Sequence, residues 1–373
     1  MSKLLSQGGF GCVYYPGINC EGETEKNNKE VTKLQAVDFN AFNEVKIGEK
    51  VKVIPNYQLF FIPVIKHCEI SLASIDPQIL SKCEVVSRSK DLNYMLMSMD
   101  YIPNESFYNF LTDISKSKKS IILNILETYS FLLNTYKLLV ADKLVHFDTK
   151  SENILYNSDT HNPLLIDFGI SFYVPDLDPA TWPDYFYVYH PDYYIWAPEI
   201  HCINYLVNYP DANMTGNLAK KIADECTKNN KALVIFSPEF IEQYRQTTED
   251  FLKKFVGKKR ENIIRTLISY YHTWDNYSLS ILYIKLIGFL FNKRFFKNHL
   301  IILFSQLLLT NISPDPNKRK SLEDTIRMYN NIFFKEEQVR DYKDLLKDLD
   351  YDKDEFTTKL MVDIQDLKKP DKK

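Results

Sequence analysis

His146-Phe147-Asp148-Thr149-Lys150-Ser151-Glu152-Asn153, followed shortly by Asp167-Phe168-Gly169, is the stretch on which the reading of this chain turns. It supplies a carboxylate able to take a proton from an attacking hydroxyl, Asp148, and two oxygen donors, Asn153 and Asp167, on neighbouring segments. Magnesium takes hard oxygen ligands and keeps several waters, so a carboxylate with a carboxamide suits it better than a His or Cys cluster. One base and two such donors are the parts that phosphoryl transfer from ATP requires. Residues of these types also occupy ordinary loops and caps, so the decision rests on what surrounds them and in what order.

Upstream, Leu5-Ser6-Gln7-Gly8-Gly9-Phe10-Gly11-Cys12-Val13 carries glycines whose missing Cβ lets backbone amides approach phosphate oxygens, although glycine pairs also make ligand-free hairpin turns. Val31-Thr32-Lys33-Leu34 reads as a strand, Phe42 to Ile47 as a helix carrying Glu44, and Tyr94 to Ile102 as an apolar strand running into Pro103-Asn104. Downstream stand Trp196-Ala197-Pro198-Glu199, then Trp274-Asp275-Asn276-Tyr277-Ser278-Leu279, then Ser313-Pro314-Asp315-Pro316-Asn317-Lys318-Arg319. In this order, from Leu5 to Arg319, the motifs resemble those of eukaryotic-type protein kinases, and Lys150, two after Asp148, resembles the Ser/Thr-directed members.

The resemblance implies an α+β, two-lobe protein kinase-like fold: a small β-rich lobe over residues 1–102, a larger helical lobe over 103–330, and a charged tail over 331–373. It implies ATP and Mg2+ as cofactors and Ser/Thr hydroxyls of proteins as acceptors. Asp148 would accept the proton, Lys150 would contact the γ-phosphate, and Asn153 and Asp167 would ligate the metal. Leu5 to Val13 would cover the phosphates and Lys33 would contact them, steadied by Glu44, with Glu49 as the other candidate. Val31 would border the nucleotide, Met99 would line the back of its pocket, and the backbone of Asp100 and Ile102 would meet the adenine edge. Met95 and Met97 read as core filler. Asp275 would cap the backbone of the 146–153 loop, and Arg319 would pair with Glu199.

Departures from the family pattern shape the expectations as much as the matches do. Ser6 replaces the first glycine, and Gly48 stands where helix packing favours a larger side chain. Phe147 replaces the arginine that in the family binds a phosphorylated activation segment, so activity without such phosphorylation is expected, with little loss of rate on phosphatase treatment. Ten aromatics between Phe172 and Trp196 suit a segment folded onto its own domain better than a partner platform. Residues 200–272 insert roughly 60 positions beyond a usual connection. Asn217 to Lys228 and Pro238 to Phe255 within them are spaced as helices.

Composition agrees with this reading without deciding it. At 373 residues the chain is long enough for two packed lobes, and a net charge of −3 argues against general nucleic-acid binding. The basic run from Lys253 to Arg265 fits a solvated helix face. No apolar run reaches membrane-spanning length, and Met1 begins no secretory signal. The six cysteines show no C-x-x-C, which favours reduced thiols and an intracellular setting. Richness in Asn, Lys, Ile, Tyr and Phe, with a start close to the glycine stretch, resembles the divergent kinases of large double-stranded DNA viruses, for which host cytoplasm or virion would be the location. Asp348 to Glu355 fails as a calcium loop because Lys353 and Lys359 stand at the positions that need glycine and a carboxylate. Two other readings stay open, a pseudokinase that binds without catalysis and a small-molecule kinase; Ala197-Pro198-Glu199 with Arg319 argues against the second. Oligomeric state, regulation and the physiological substrate are not encoded in these motifs.

Overall fold

A computed structural model describes residues 1–88, 93–113, 115–116, 118–292 and 299–333; the expected charged tail and the failed calcium loop lie outside them. Side chains alternating between the two faces of the strand at 94–100 put Met95, Met97 and Met99 on one face and Tyr94 and Leu96 on the other, both buried in apolar cores. That alternation organises the first part of the molecule. Strands β1 (Lys3–Gln7), β2 (Gly11–Tyr15), β3 (Glu30–Ala36), β4 (Lys66–Ile70) and β5 (Tyr94–Asp100) form an antiparallel sheet in the order β1-β2-β3-β5-β4.

The methionine face packs on Ala41 of helix α1 (Phe39–Val51), together with Ile62, Val64 and Leu164. All three methionines, Met99 included, belong to this one core. The opposite face packs Cys12, Tyr14, Leu34, Tyr94 and Leu96 against Ile79 of helix α2 (Pro77–Leu80), Cys83, and Val86 of helix α3 (Glu84–Arg88). Asp38 caps α1 by accepting from the Ala41 amide at 2.8 Å, satisfying one of the amide donors that a helix start leaves over. Gly48 is buried on α1, and a Cβ there would stand 3.3 Å from the Val64 amide nitrogen. The close approach of the Val64 backbone, rather than a void, accounts for glycine at that position.

The expectation of reduced thiols does not hold for the sheet. Cys12 is joined to Cys83 and Cys20 to Cys68, leaving Cys202 and Cys226 as buried free cysteines. Separations of 71 and 48 residues hid this pairing. The sheet and its covering helices bring the Cα atoms to 6.0 and 6.1 Å, within disulfide reach.

The rest is mainly helical. A small sheet of β6 (Asn104–Ser106), β8 (Ile154–Asn157) and β9 (Pro163–Leu165) flanks the 146–153 loop, with β7 (Leu144–Val145) pairing β10 (Phe172–Tyr173). Between these strands in sequence come α4 (Phe107–Thr112) and the long α5 (Lys118–Ala141). Later follow α6 (Trp182–Tyr185), α7 (Pro198–Asn208), α8 (Gly216–Asn229), α9 (Pro238–Lys253), α10 (Arg260–Ile268), α11 (Trp274–Asn292), α12 (His299–Asn311) and α13 (Leu322–Phe333). The two stretches spaced as helices in 200–272 are α8 and α9, and both contribute to the same core as α5 and α11. This mixed arrangement of a β-sheet region with helices is compatible with a kinase-like fold. Among the described residues no helix is long and apolar enough to cross a membrane.

Candidate active site

The loop after β7 is held from beneath. Asp275, at the start of α11, accepts from the amides of His146 at 2.8 Å and Phe147 at 3.0 Å. Phe147 has φ 67°, a left-handed conformation that costs a non-glycine residue roughly 1–3 kcal/mol and persists only where neighbours enforce it. The buried Asp275 carboxylate is one such restraint; burial pushes its carboxyl up, against the pull of His146 and the two amides. Ser171 Oγ, donating to His146 O at 2.8 Å, is another.

Asp148 follows, buried and crowded with donors. Its Oδ2 accepts from Asn153 Nδ2 and from Lys150 Nζ, both at 2.8 Å. Its Oδ1 accepts from the hydroxyl of Tyr193. Lys150 Nζ also lies 3.5 Å from that hydroxyl. Nothing in the motif order marks Tyr193; it was one aromatic among the ten between Phe172 and Trp196.

On the sheet side, Lys33 Nζ on β3 donates to Glu44 Oε2 of α1 at 2.6 Å and to Asp167 Oδ1 at 3.1 Å. Glu49 pairs instead with Lys52 at 2.6 Å on the exposed side of α1. Burial works against the Lys33 cation, yet Glu44 and Asp167 outweigh it, so its pKa is raised and it stays charged. Burial likewise opposes the Asp167 carboxylate, but Lys33, with smaller help from Lys150 and His146, holds its pKa below the usual aspartate value. Asp167 has φ 63°, and Asn43 of α1 ties down the chain just after it, donating to Gly169 O at 3.0 Å and Ser171 O at 2.7 Å. Sequence reasoning missed Asn43, which adjoins Glu44 and could have been found only by noting a buried amide on the helix face it shares.

The remaining candidates fall in two groups. Leu5, Ser6, Gln7, Gly8, Gly9 and Phe10 are the partly or fully exposed end of the β1–β2 hairpin, with Gly8 N donating to Gly11 O at 2.9 Å. A Cβ on Gly8 or Gly9 would meet open space, whereas one on Gly11 would stand 2.5 Å from Leu34 O. Glycine at 11 is therefore demanded by the sheet. Val13 and Val31 are half-buried, and the Cys12 side chain points into the core as half of a disulfide. Asp100 closes β5 opposite Glu30, and Ile102 O accepts from Asn104 Nδ2 at 2.7 Å.

The donor set suits magnesium by its chemistry. Asn153 spends its Nδ2 on Asp148, which leaves a carbonyl oxygen, and Asp167 adds a carboxylate whose side chain is about a third exposed. Among the described residues no group of three or more His, Cys, Asp or Glu converges to hold a metal.

Position 147 lies in an aromatic cluster. Its ring stacks on Trp196 at 4.9 Å and meets Phe172, Phe186 and Trp274 at 5.1 to 5.9 Å, and Trp196 Nε1 donates to Phe147 O at 2.9 Å. Phe172, Trp182, Tyr185, Phe186 and Trp196 are buried, as expected for a segment packed on its own domain, while Tyr187 is 41% exposed. Beneath them Arg319 grips Glu199 with contacts of 2.5 and 2.8 Å, both side chains fully buried, and Trp274 Nε1 adds a third bond at 2.9 Å.

No family model matches the chain. It is 25% identical over 166 residues to the probable inactive serine/threonine-protein kinase samkD of Dictyostelium discoideum, a match covering 40% of this chain and 29% of that relative. This distant, partial similarity indicates a kinase-like relationship.

Proposed function

We propose that the chain is a two-lobe protein kinase that transfers the γ-phosphoryl group of ATP to Ser or Thr hydroxyls of proteins. The observation that carries this reading is Lys33, whose ammonium joins Glu44 on α1 to Asp167, a residue 134 positions away, beside a loop that offers Asp148 and Asn153. In this reading the small lobe is the five-stranded sheet with α1, and the hairpin end from Leu5 to Val13 lies over the phosphates. Lys33 binds them, and the backbone of Asp100 and Ile102 borders the adenine.

Asp148 orients the acceptor hydroxyl and takes its proton as the oxygen attacks. Lys150 offsets charge on the moving phosphoryl group, and Asp275 holds the loop so that the base needs no rearrangement. Asn153 and Asp167 would hold magnesium, which supplies charge neutralisation at the phosphates. Placement and electrostatics then supply most of the rate, since this chemistry needs no covalent intermediate on the protein.

A second reading, a kinase-like scaffold that binds nucleotide without transfer, draws on two facts: the Tyr193 hydroxyl already occupies Asp148, and samkD is described as probably inactive. Transfer from labelled ATP and magnesium to casein, histone and the chain itself, compared between wild type and Asp148→Asn, decides. Label on Ser or Thr that the variant loses supports the kinase. Magnesium-dependent ATP binding with no label on any acceptor supports the scaffold.

A further inference from the structure

The hydroxyl that meets Asp148 in this structure belongs to the chain itself. Tyr193 Oη donates to Asp148 Oδ1, which is the contact that the proposed mechanism asks of an acceptor. Lys150 Nζ, assigned above to the moving phosphoryl group, lies 2.8 Å from Asp148 Oδ2 and 3.5 Å from Tyr193 Oη. The ring is seated rather than loose: it is half-buried and packs edge-on to Trp196 at 4.7 Å, and Trp196 in turn is fixed through its indole to Phe147 O. Burial, then the neighbouring Asp148 charge, push the Tyr193 phenol up, so it is protonated and donates. With Oδ2 shared by Asn153 and Lys150, Oδ1 is the oxygen on which an acceptor would be seated, and Tyr193 holds it.

We propose that Tyr193 is a phosphorylation site of this chain, modified in cis by its own Asp148. The proposal rests on the kinase reading and extends its acceptors to one tyrosyl hydroxyl held by the fold. Tyr193 Oη attacks the γ-phosphorus of ATP, and the new oxygen–phosphorus bond forms as the bond from that phosphorus to the bridging oxygen breaks. The phenolic proton passes to Asp148, and ADP leaves with the electron pair of the broken bond. The product carries about −1.5 to −2 charges beside the Asp148 and Asp167 carboxylates. It finds an aromatic cluster at 147 instead of an arginine to dock on, and the cation beside it is Lys150.

The test is to incubate purified, phosphatase-treated full chain with magnesium and ATP and to map phosphate by peptide mass spectrometry. Expected is phosphotyrosine at 193, approaching one per chain, with a first-order rate unchanged on dilution of the protein and with no phosphate in Asp148→Asn. Tyr193→Phe, checked for a wild-type thermal melt, should lose that phosphopeptide and still label casein. Label on casein, or on Tyr187, Tyr189 or Tyr194 of the chain, with Tyr193 bare overturns the inference and leaves the kinase reading standing. A Tyr193 rate that falls in proportion to dilution overturns modification in cis. No transfer to any acceptor overturns the kinase reading and this inference with it.

Discussion

The two sides of the candidate active site are closed in different ways. On the sheet side, Lys33, Glu44 and Asp167 satisfy one another, cation against two carboxylates, across three separate elements. On the other side, Asp148 is satisfied partly by Lys150 and Asn153, which the loop carries with it, and partly by Tyr193 from a segment 45 residues away. In the proposed reading the first arrangement is the charge set that would meet metal and phosphates. The second is the proposed base, one oxygen of which accepts from a hydroxyl of the same chain. The proposed nucleotide side is thus assembled in advance, and the proposed acceptor side must give something up before an external substrate can enter.

The sharpest way to break this contrast is at Asp148. Asp148→Asn keeps the shape and most hydrogen bonds of the side chain but removes the proton acceptor. General-base catalysis contributes about 10²–10⁴-fold, so transfer to casein should fall by that factor while ATP affinity stays within a few-fold. A variant that keeps most of its rate would mean that Asp148 is not the base and that Tyr193 sits on it for structural reasons alone.

Next in size is the buried ion pair of the helical part. Arg319 and Glu199 are both fully buried and doubly bonded. Removing one member strands a charge, so Arg319→Met should destabilise the chain by about 3–5 kcal/mol in urea or guanidinium melts. Replacing both members with apolar residues should recover much of that loss, because a buried pair contributes little beyond its own compensation. A single variant as stable as wild type would mean that Glu199 takes up a proton or reaches solvent.

Why these features differed in legibility follows from how their partners are chosen. Lys33, Asp148, Asn153, Asp167, Glu199, Asp275 and Arg319 were readable because each is defined by a short local pattern and by its order along the chain, whereas the choice of Glu44 over Glu49 needed the packing of α1. Their mutual contacts then follow wherever the elements meet. Tyr193, Asn43 and the two disulfides were not readable, because their partners are set by packing. Nothing local distinguishes Tyr193 from Tyr194, whose hydroxyl instead meets Lys285 at 2.5 Å. Gly48 was misjudged for the same reason: helix periodicity cannot reveal that the Val64 backbone passes against that face. The sheet order β1-β2-β3-β5-β4 was likewise invisible, although the strands around Val31–Leu34 and Tyr94–Ile102 were evident.

The disulfides sharpen the comparison because both lie in the sheet region and neither in the helical one. Each should contribute about 2–4 kcal/mol by limiting the unfolded chain. Reductant should therefore lower the denaturation midpoint of wild type, while Cys20→Ser with Cys68→Ser should start lower and respond less. A midpoint indifferent to reductant, with six titratable thiols in the denatured chain, would show that the sheet reaches this geometry without the bonds.

The smallest effect expected is the pH response of Asp167, and its sign follows from its partner. Burial alone would raise this carboxyl, but Lys33 chiefly, then Lys150 and His146, lower it below its ordinary value. A carboxyl lowered in the folded state binds protons less readily there than in the unfolded chain. Its contribution to stability is therefore complete above the ordinary aspartate value near pH 4, and it fades as the pH falls through the lowered one. Asp167→Asn has no such proton to take up, so as the pH falls below about 4 its stability should fall less steeply than that of wild type. The difference should be modest, because the Asp167 side chain is 34% exposed and water screens its pairing with Lys33. Equal slopes would place Lys33 with Glu44 alone in solution, and the sheet side of the site would then be a pair with a free carboxylate beside it, leaving Asp167 as open to a ligand as Asp148 is closed.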